Sequence, residues 1–167
     1  MKHALFFFLV SLVASGLQAQ KNEFNEIYDA FRGEEGVVSL YVPGFLCRLA
    51  AHVPDLEREE QALLRSIKSI RLMVIENPEI NRQVNLAKVL SHVDRDPGVV
   101  PLLTVHDDDE DVLILARQEK EIVSELYVIV GGSENVMIRI RGRMDRDLMK
   151  CLYDVTGIEE TRLTRKI

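Results

Sequence analysis

The 167-residue chain carries 27 acidic and 21 basic residues, a formal net charge of −6 at pH 7, with 47% hydrophobic residues and two cysteines. That acidic balance excludes a general nucleic-acid binder, whose phosphate partner needs a net basic surface, and it excludes general adhesion to anionic lipid. Two cysteines do not make a disulfide scaffold, and the length suits one domain with its own core.

Residues 1–19 read as an export signal. Lys2 supplies the positive start, Ala4 to Ala14 is apolar, and Ser15-Gly16-Leu17-Gln18-Ala19 ends in small residues before a polar chain. The stretch is too short to cross a bilayer comfortably, and no cysteine follows it that would carry a lipid. Cleavage after Ala19 is the preferred reading; cleavage after Gly16 is the alternative, because Leu17 is bulky for such a site. Removing residues 1–19 takes away Lys2 and no acid, leaving 20 basic against 27 acidic residues, or −7. The expected product is periplasmic or secreted, with no integral membrane span, and residues 20–167 form a single α+β domain.

Phe24, Ile27, Tyr28 and Phe31 recur at helical spacing and Gly33 with Gly36 close that segment. Val37 to Val42 predicts a strand, broken by Pro43-Gly44, and Phe45 to Val53 a buried helical piece. Pro54-Asp55 offers a turn and cap before a half-polar helix from Leu56 to Ile67, which covers the sheet. Lys68 to Glu76 predicts the second strand. Asn77-Pro78 supplies a cap and a first-turn proline, and Leu86, Val89, Leu90 and Val93 form the stripe of a helix ended by Pro97-Gly98. Val99 to Val105, Val112 to Arg117, Ile122 to Val130 and Val136 to Arg141 are β-rich runs with short polar turns, the pattern of an antiparallel meander. Asp145 to Val155 predicts a closing helix, with Arg162, Arg165 and Lys166 in the tail beyond it. The whole predicts an α+β fold: a mostly antiparallel sheet of about six strands with helices packed on one face.

The chemistry-bearing clusters are few. His106-Asp107-Asp108-Asp109-Glu110-Asp111 is dense in ligand types, but it lacks the glycine and distal glutamate of a calcium loop, so a solvated turn between two strands is expected, with no metal assigned. Gly131-Gly132-Ser133 leads into a strand and not a helix, which makes it a hairpin turn that uses glycine for positive φ, not a phosphate cradle. Arg139, Arg141 and Arg143 alternate along one strand and would present a basic row on the sheet's open face, paired across the ladder with Glu121 and Glu125 or turned to an anion. Cys47 and Cys151 sit among apolar neighbours and are expected to be reduced and buried. His52, His92 and His106 are scattered, and no serine lies in a nucleophile elbow.

Most of the chain beyond the signal resembles a family of exported Bacteroidota proteins, domain of unknown function 4252. The resemblance rests on the strand from Ile67 to Val74, the run Ile122-Val123-Ser124-Glu125-Leu126-Tyr127-Val128-Ile129-Val130, and Val136-Met137-Ile138-Arg139-Ile140-Arg141-Gly142 leading into Asp145 to Leu152. It implies an exported α+β domain without an assigned activity or catalytic residues. Many relatives carry a lipoprotein cysteine that this chain lacks, so membrane tethering is not implied.

These observations lead to an exported, non-catalytic binding or interaction module of the cell envelope, working through the sheet's open face or its edge. No catalytic, cofactor-binding or metal-ligating residue is assigned, and no cofactor is implied. Arg139, Arg141 and Arg143 are the candidate ligand or partner surface, for an envelope protein or a small anionic ligand. The alternative is an envelope hydrolase with a site assembled across the sheet. A pocket joining His106 or His52 to a hydroxyl or to a carboxylate of shifted pKa would favour the enzyme; a flat apolar or basic face would favour the binder.

Overall fold

A computed structural model of the protein describes residues 23–91, 98–108 and 110–156. The export signal expected over residues 1–19, His92, Asp109 and the basic tail at Arg162, Arg165 and Lys166 lie outside the described residues. The chain divides into two compact units after Ala30. Helix α1 (Glu23–Phe31) opens the described chain, with Glu23 and Glu26 in its first turn, where negative charge suits the helix dipole.

The second unit holds strands β1 (Val37–Pro43), β2 (Ile67–Ile75), β3 (Val99–His106), β4 (Glu110–Glu119), β5 (Ile122–Gly132) and β6 (Asn135–Met144). Its helices are α2 (Gly44–Ala50), α3 (Arg58–Ser66), α4 (Pro78–Gln83), α5 (Leu86–Val89) and α6 (Arg146–Thr156). The strands form one sheet in the order β1-β2-β6-β5-β4-β3, every neighbouring pair antiparallel. The fold is therefore α+β. The last four strands are the meander that their short turns require, β2 docks on the far side of β6, and β1 and β3 are the two edges.

Side chains alternate across a sheet, so the register sorts them into two faces. On one face Ile70, Ile140, Leu126 and Ala116 stand in one row, and Leu72, Ile138, Val128 and Ile114 in the next. Leu63 of α3 and Met149 and Leu152 of α6 pack into this face, and with Ile114, Ala116, Leu126 and Met144 they form a buried apolar cluster. Leu63 exposes 6% of its surface and Leu152 8%, so each contributes about 1.5–3 kcal/mol through burial. Cys151 lies partly buried at the rim of the cluster and Cys47 is buried in α2; neither is in a disulfide, and burial pushes the Cys47 thiol pKa up.

Two local expectations are corrected. The cap of α3 is Glu57 and not Asp55, because Glu60 three residues on returns its carboxylate to the Glu57 N–H at 2.9 Å and completes a reciprocal capping box. The expected stripe begins as the four-residue helix Leu86–Val89, preceded by a separate one, and its Val93 and Pro97 lie outside the described residues. Asn77 caps α4 by accepting from the Glu79 and Ile80 N–H groups; Val84 is then extended, and Asn85 caps α5 by accepting from the Lys88 N–H. The junction is fixed by Asn135, fully buried at the start of β6. Its side chain accepts from the Leu86 N–H at 2.7 Å and donates to Asn81 Oδ1 at 2.9 Å and the Val84 carbonyl at 2.8 Å. Asn135 belongs to the face opposite the apolar cluster, so α4 and α5 close one end of that second face.

Candidate functional site

Three places in the second unit concentrate features beyond those of an ordinary core. The first is an ion network on the second face. The ladder sets Arg117 and Arg141 on either side of Glu125, and Tyr127, two residues along, beside Arg139. Arg139 Nη2 donates to Glu125 Oε1 at 2.6 Å, Arg141 Nε lies 3.3 Å from the same oxygen, and Arg117 Nε lies 3.4 Å from Oε2. The Tyr127 hydroxyl also donates to Oε2. Burial on its own would raise the Glu125 pKa, but the hydrogen bonds from Tyr127 and Arg139 and the surrounding guanidinium charge outweigh it and hold the carboxyl below its ordinary value. The adjoining row is Tyr41, Arg71, Arg139 and Tyr127, in which each guanidinium lies over a tyrosine ring, at 5.7 Å for Arg71 and Tyr41 and 5.6 Å for Arg139 and Tyr127.

The structure thus separates the three arginines that the sequence grouped. Arg139 is buried, with only 6% of its side chain exposed; Arg141 is 56% exposed and shares the same carboxylate; Arg143 is exposed near the end of β6. The exposed ladder pair expected for Arg139 is in fact an interior one, because Tyr127 and Glu125 converge on it from the neighbouring strand. Glu121 lies in the β4–β5 turn and is exposed there.

The second place is the end of the β3–β4 hairpin. Asp107, Asp108 and Glu110 are exposed, as a solvated turn should be, but Asp111 is not. It accepts from the Asn85 amide at 2.7 Å, meets His106 Nδ1 at 2.5 Å and lies 3.4 Å from Lys88 Nζ. The bonds from His106 and Asn85 hold its carboxyl below the ordinary aspartate value, against a smaller effect of burial. Gly131 explains the approach of α5: it pairs with Asp111 across the ladder, and a Cβ on it would lie 2.7 Å from the Ala87 nitrogen and closer still to the Asn85 amide oxygen. Gly131 is required for that contact; the positive φ expected of this hairpin falls on Gly132, at +150° the last residue of β5, and the reversal at Ser133-Glu134. A polar cleft of about 290 Å³ opens beside this latch, lined by Asn81, Arg82, Asn85, Lys88, Asp108 and Asp111 among others. A histidine held by an aspartate is half of a nucleophile-activating arrangement, but among the described residues no hydroxyl or thiol is bonded to His106, and His52 bonds only the Arg48 carbonyl. No cluster among the described residues could hold a metal ion.

The third place is the β1 edge with α2. The run Val37-Val38-Ser39-Leu40-Tyr41-Val42-Pro43 carries no charge, and Val38, Leu40 and Tyr41 are 50%, 51% and 54% exposed. Helix α2 packs against β1, β2 and α3 and extends the apolar surface with Phe45, Leu46 and Leu49 at 59%, 42% and 68% exposure. It sits this low on the sheet because Gly44 has no side chain; a Cβ there would lie 2.6 Å from the Lys68 carbonyl oxygen. Sequence reading found the strand and the helix but took the helix as buried. The dense apolar pattern that predicts burial holds only for Gly44 and Cys47, because α2 lies at the margin of the sheet and leaves Phe45, Leu46 and Leu49 at the surface.

A six-stranded antiparallel α+β domain with a closed ion network and an apolar edge is the class that these features define. The family model for the domain of unknown function DUF4252 matches residues 28–152, and the chain belongs to that family. No curated protein and no solved structure matches the chain. No helix among the described residues is long and apolar enough to cross a membrane.

Proposed function

We propose that the protein is an exported, non-catalytic interaction module of the cell envelope, and that its working surface is the β1 edge with α2. The observation that carries this reading is the uncharged edge strand, exposed on both faces and continued by three exposed apolar side chains of α2. Such an edge is a template for pairing with another chain, and apolar patches of this kind mark interaction sites. Export is supported by the sequence pattern of residues 1–19 and places the product in the periplasm or outside the cell.

Capture of the tagged protein from its native envelope tests the reading. Leu40→Lys, which places a charge on the exposed edge, is expected to abolish recovery of the partner while leaving the amount of folded protein unchanged. Recovery that survives both Leu40→Lys and Leu49→Lys contradicts it. A second reading, a small anionic ligand held by Arg141 and Arg143, is favoured by one observation: Arg141 is more than half exposed and shares a single carboxylate with two other arginines. Loss of ligand binding in Arg141→Gln with Arg143→Gln, and its survival in Leu40→Lys, would favour that reading.

A further inference from the structure

The occupant of the β1 edge follows from the backbone. The Gly36 carbonyl accepts from the Glu76 N–H at 2.7 Å, which fixes the phase of the β1–β2 ladder. Hydrogen-bonded and non-hydrogen-bonded pairs alternate in an antiparallel ladder, so Val38, Leu40 and Val42 exchange bonds with β2. Ser39 and Tyr41 therefore direct their N–H and C=O groups toward the open edge, and Val37 its C=O, while the Val37 N–H is held by the Glu34 carbonyl at 3.2 Å. Resting on the reading of this edge as the working surface, we propose that its occupant is a second copy of this chain, paired antiparallel through β1 about a two-fold axis at Ser39.

Three observations point to a second copy. Residues 37–43 carry no charge, so juxtaposing the strand with itself brings no like charges together, although the whole chain carries −6. Register about Ser39 sets Val37 opposite the other copy's Tyr41 and Val38 opposite its Leu40, and it leaves Pro43, which has no N–H to donate, beyond the paired residues. A two-fold axis normal to the sheet also keeps the two α2 helices on the same side, flanking the paired strands at either end with their exposed Phe45, Leu46 and Leu49. Val38, Leu40 and Tyr41, each about half exposed, add apolar side-chain contact to the main-chain pairing. A contact confined to one strand of each copy lies at the small end of the range for protein interfaces, which fits a reversible dimer. The product is a continuous sheet of twelve strands, twice the six of one copy.

Sedimentation velocity of the native protein over a wide concentration range tests this, together with oxidative cross-linking of Ser39→Cys. The expected result is a reversible dimer, weakened at least tenfold by Leu40→Lys, and a disulfide-linked dimer of Ser39→Cys whose bridge maps to residue 39 in both copies. The Cα separation of a hydrogen-bonded antiparallel pair, about 5.5 Å, permits that bridge. Val100→Cys, on the opposite edge, is expected to give no such link. A monomer at all concentrations overturns the inference, as does a dimer that Leu40→Lys leaves intact or one in which Ser39→Cys forms no bridge. A protein that is monomeric alone but loses its envelope partner in Leu40→Lys overturns the second-copy inference and leaves the interaction surface standing. A dimer and a capture that both survive Leu40→Lys overturn the two together.

Discussion

The two edges of the sheet are built to different rules. The β3 edge carries Pro101, breaks its register between Pro101 and Leu103, and runs into the acidic turn of Asp107, Asp108 and Glu110. Proline, an irregularity and charge are the devices that stop an edge from recruiting another strand. The β1 edge has none of them until Pro43: its register with β2 is unbroken over seven residues and its side chains are uncharged. The contrast lies in the edge strands themselves: Pro101 and the register break beside it interrupt β3, while the acidic run only follows it in the turn, and the run from Val37 to Val42 carries neither a proline nor a break. Between them, Glu125 and the Asp111 latch hold the sheet together without belonging to either edge.

The comparison breaks if changes to the interior alter association, or if changes to the edge alter stability. The largest effect is expected from Glu125→Gln, which leaves Arg139 buried without its charged partner. Breaking a buried pair costs about 3–5 kcal/mol, measurable by urea unfolding. Gly131→Ala is expected to cost about 1–3 kcal/mol, because the added methyl collides with the backbone of α5 and with Asn85. In both variants the folded fraction should associate as the wild type does.

Acid sharpens the same point. The Glu125 carboxyl is held below its ordinary value of 4.5 in the folded protein, so its stabilising contribution is complete above that value and is lost as pH falls through the lower folded value. Unfolding free energy measured from pH 6 to pH 2 should therefore decline below about pH 4.5, and Glu125→Gln should flatten that decline. The smallest stability effects, within about 0.5 kcal/mol at concentrations too low for association, are expected for Leu40→Lys and Val100→Lys, since both positions are exposed. Leu40→Lys should weaken association and Val100→Lys should not, which is the distinction between the edges expressed as a pair of variants.

The elements were legible in sequence because strand alternation, caps and breakers act locally. Asn77-Pro78 named its own cap, and the four runs from Val99 onward became a meander because their turns are too short for anything else. Strand order is not local: nothing in the run from Val37 to Val42 states that β2 will pair with β6 and leave β1 outermost. The burial of Arg139 was hidden for the same reason, since it depends on Glu125 and Tyr127 arriving from β5. Asp111 lay within reach of sequence reasoning. His106 and Asp111 flank a tight reversal and pair across it, and Gly131 opposite Asp111 marks a place where another backbone approaches.

Amide hydrogen exchange of the native protein, at concentrations where it associates, tests the central claim most directly. The account predicts that the Ser39 and Tyr41 amides, which a lone chain would turn to solvent, exchange as slowly as those of the central strand β5, while outward amides of β3 exchange quickly; Leu40→Lys should return Ser39 and Tyr41 to fast exchange. Ser39 and Tyr41 amides that exchange as fast as those of the β3 edge in the wild-type protein would show that nothing pairs with β1, and would contradict it.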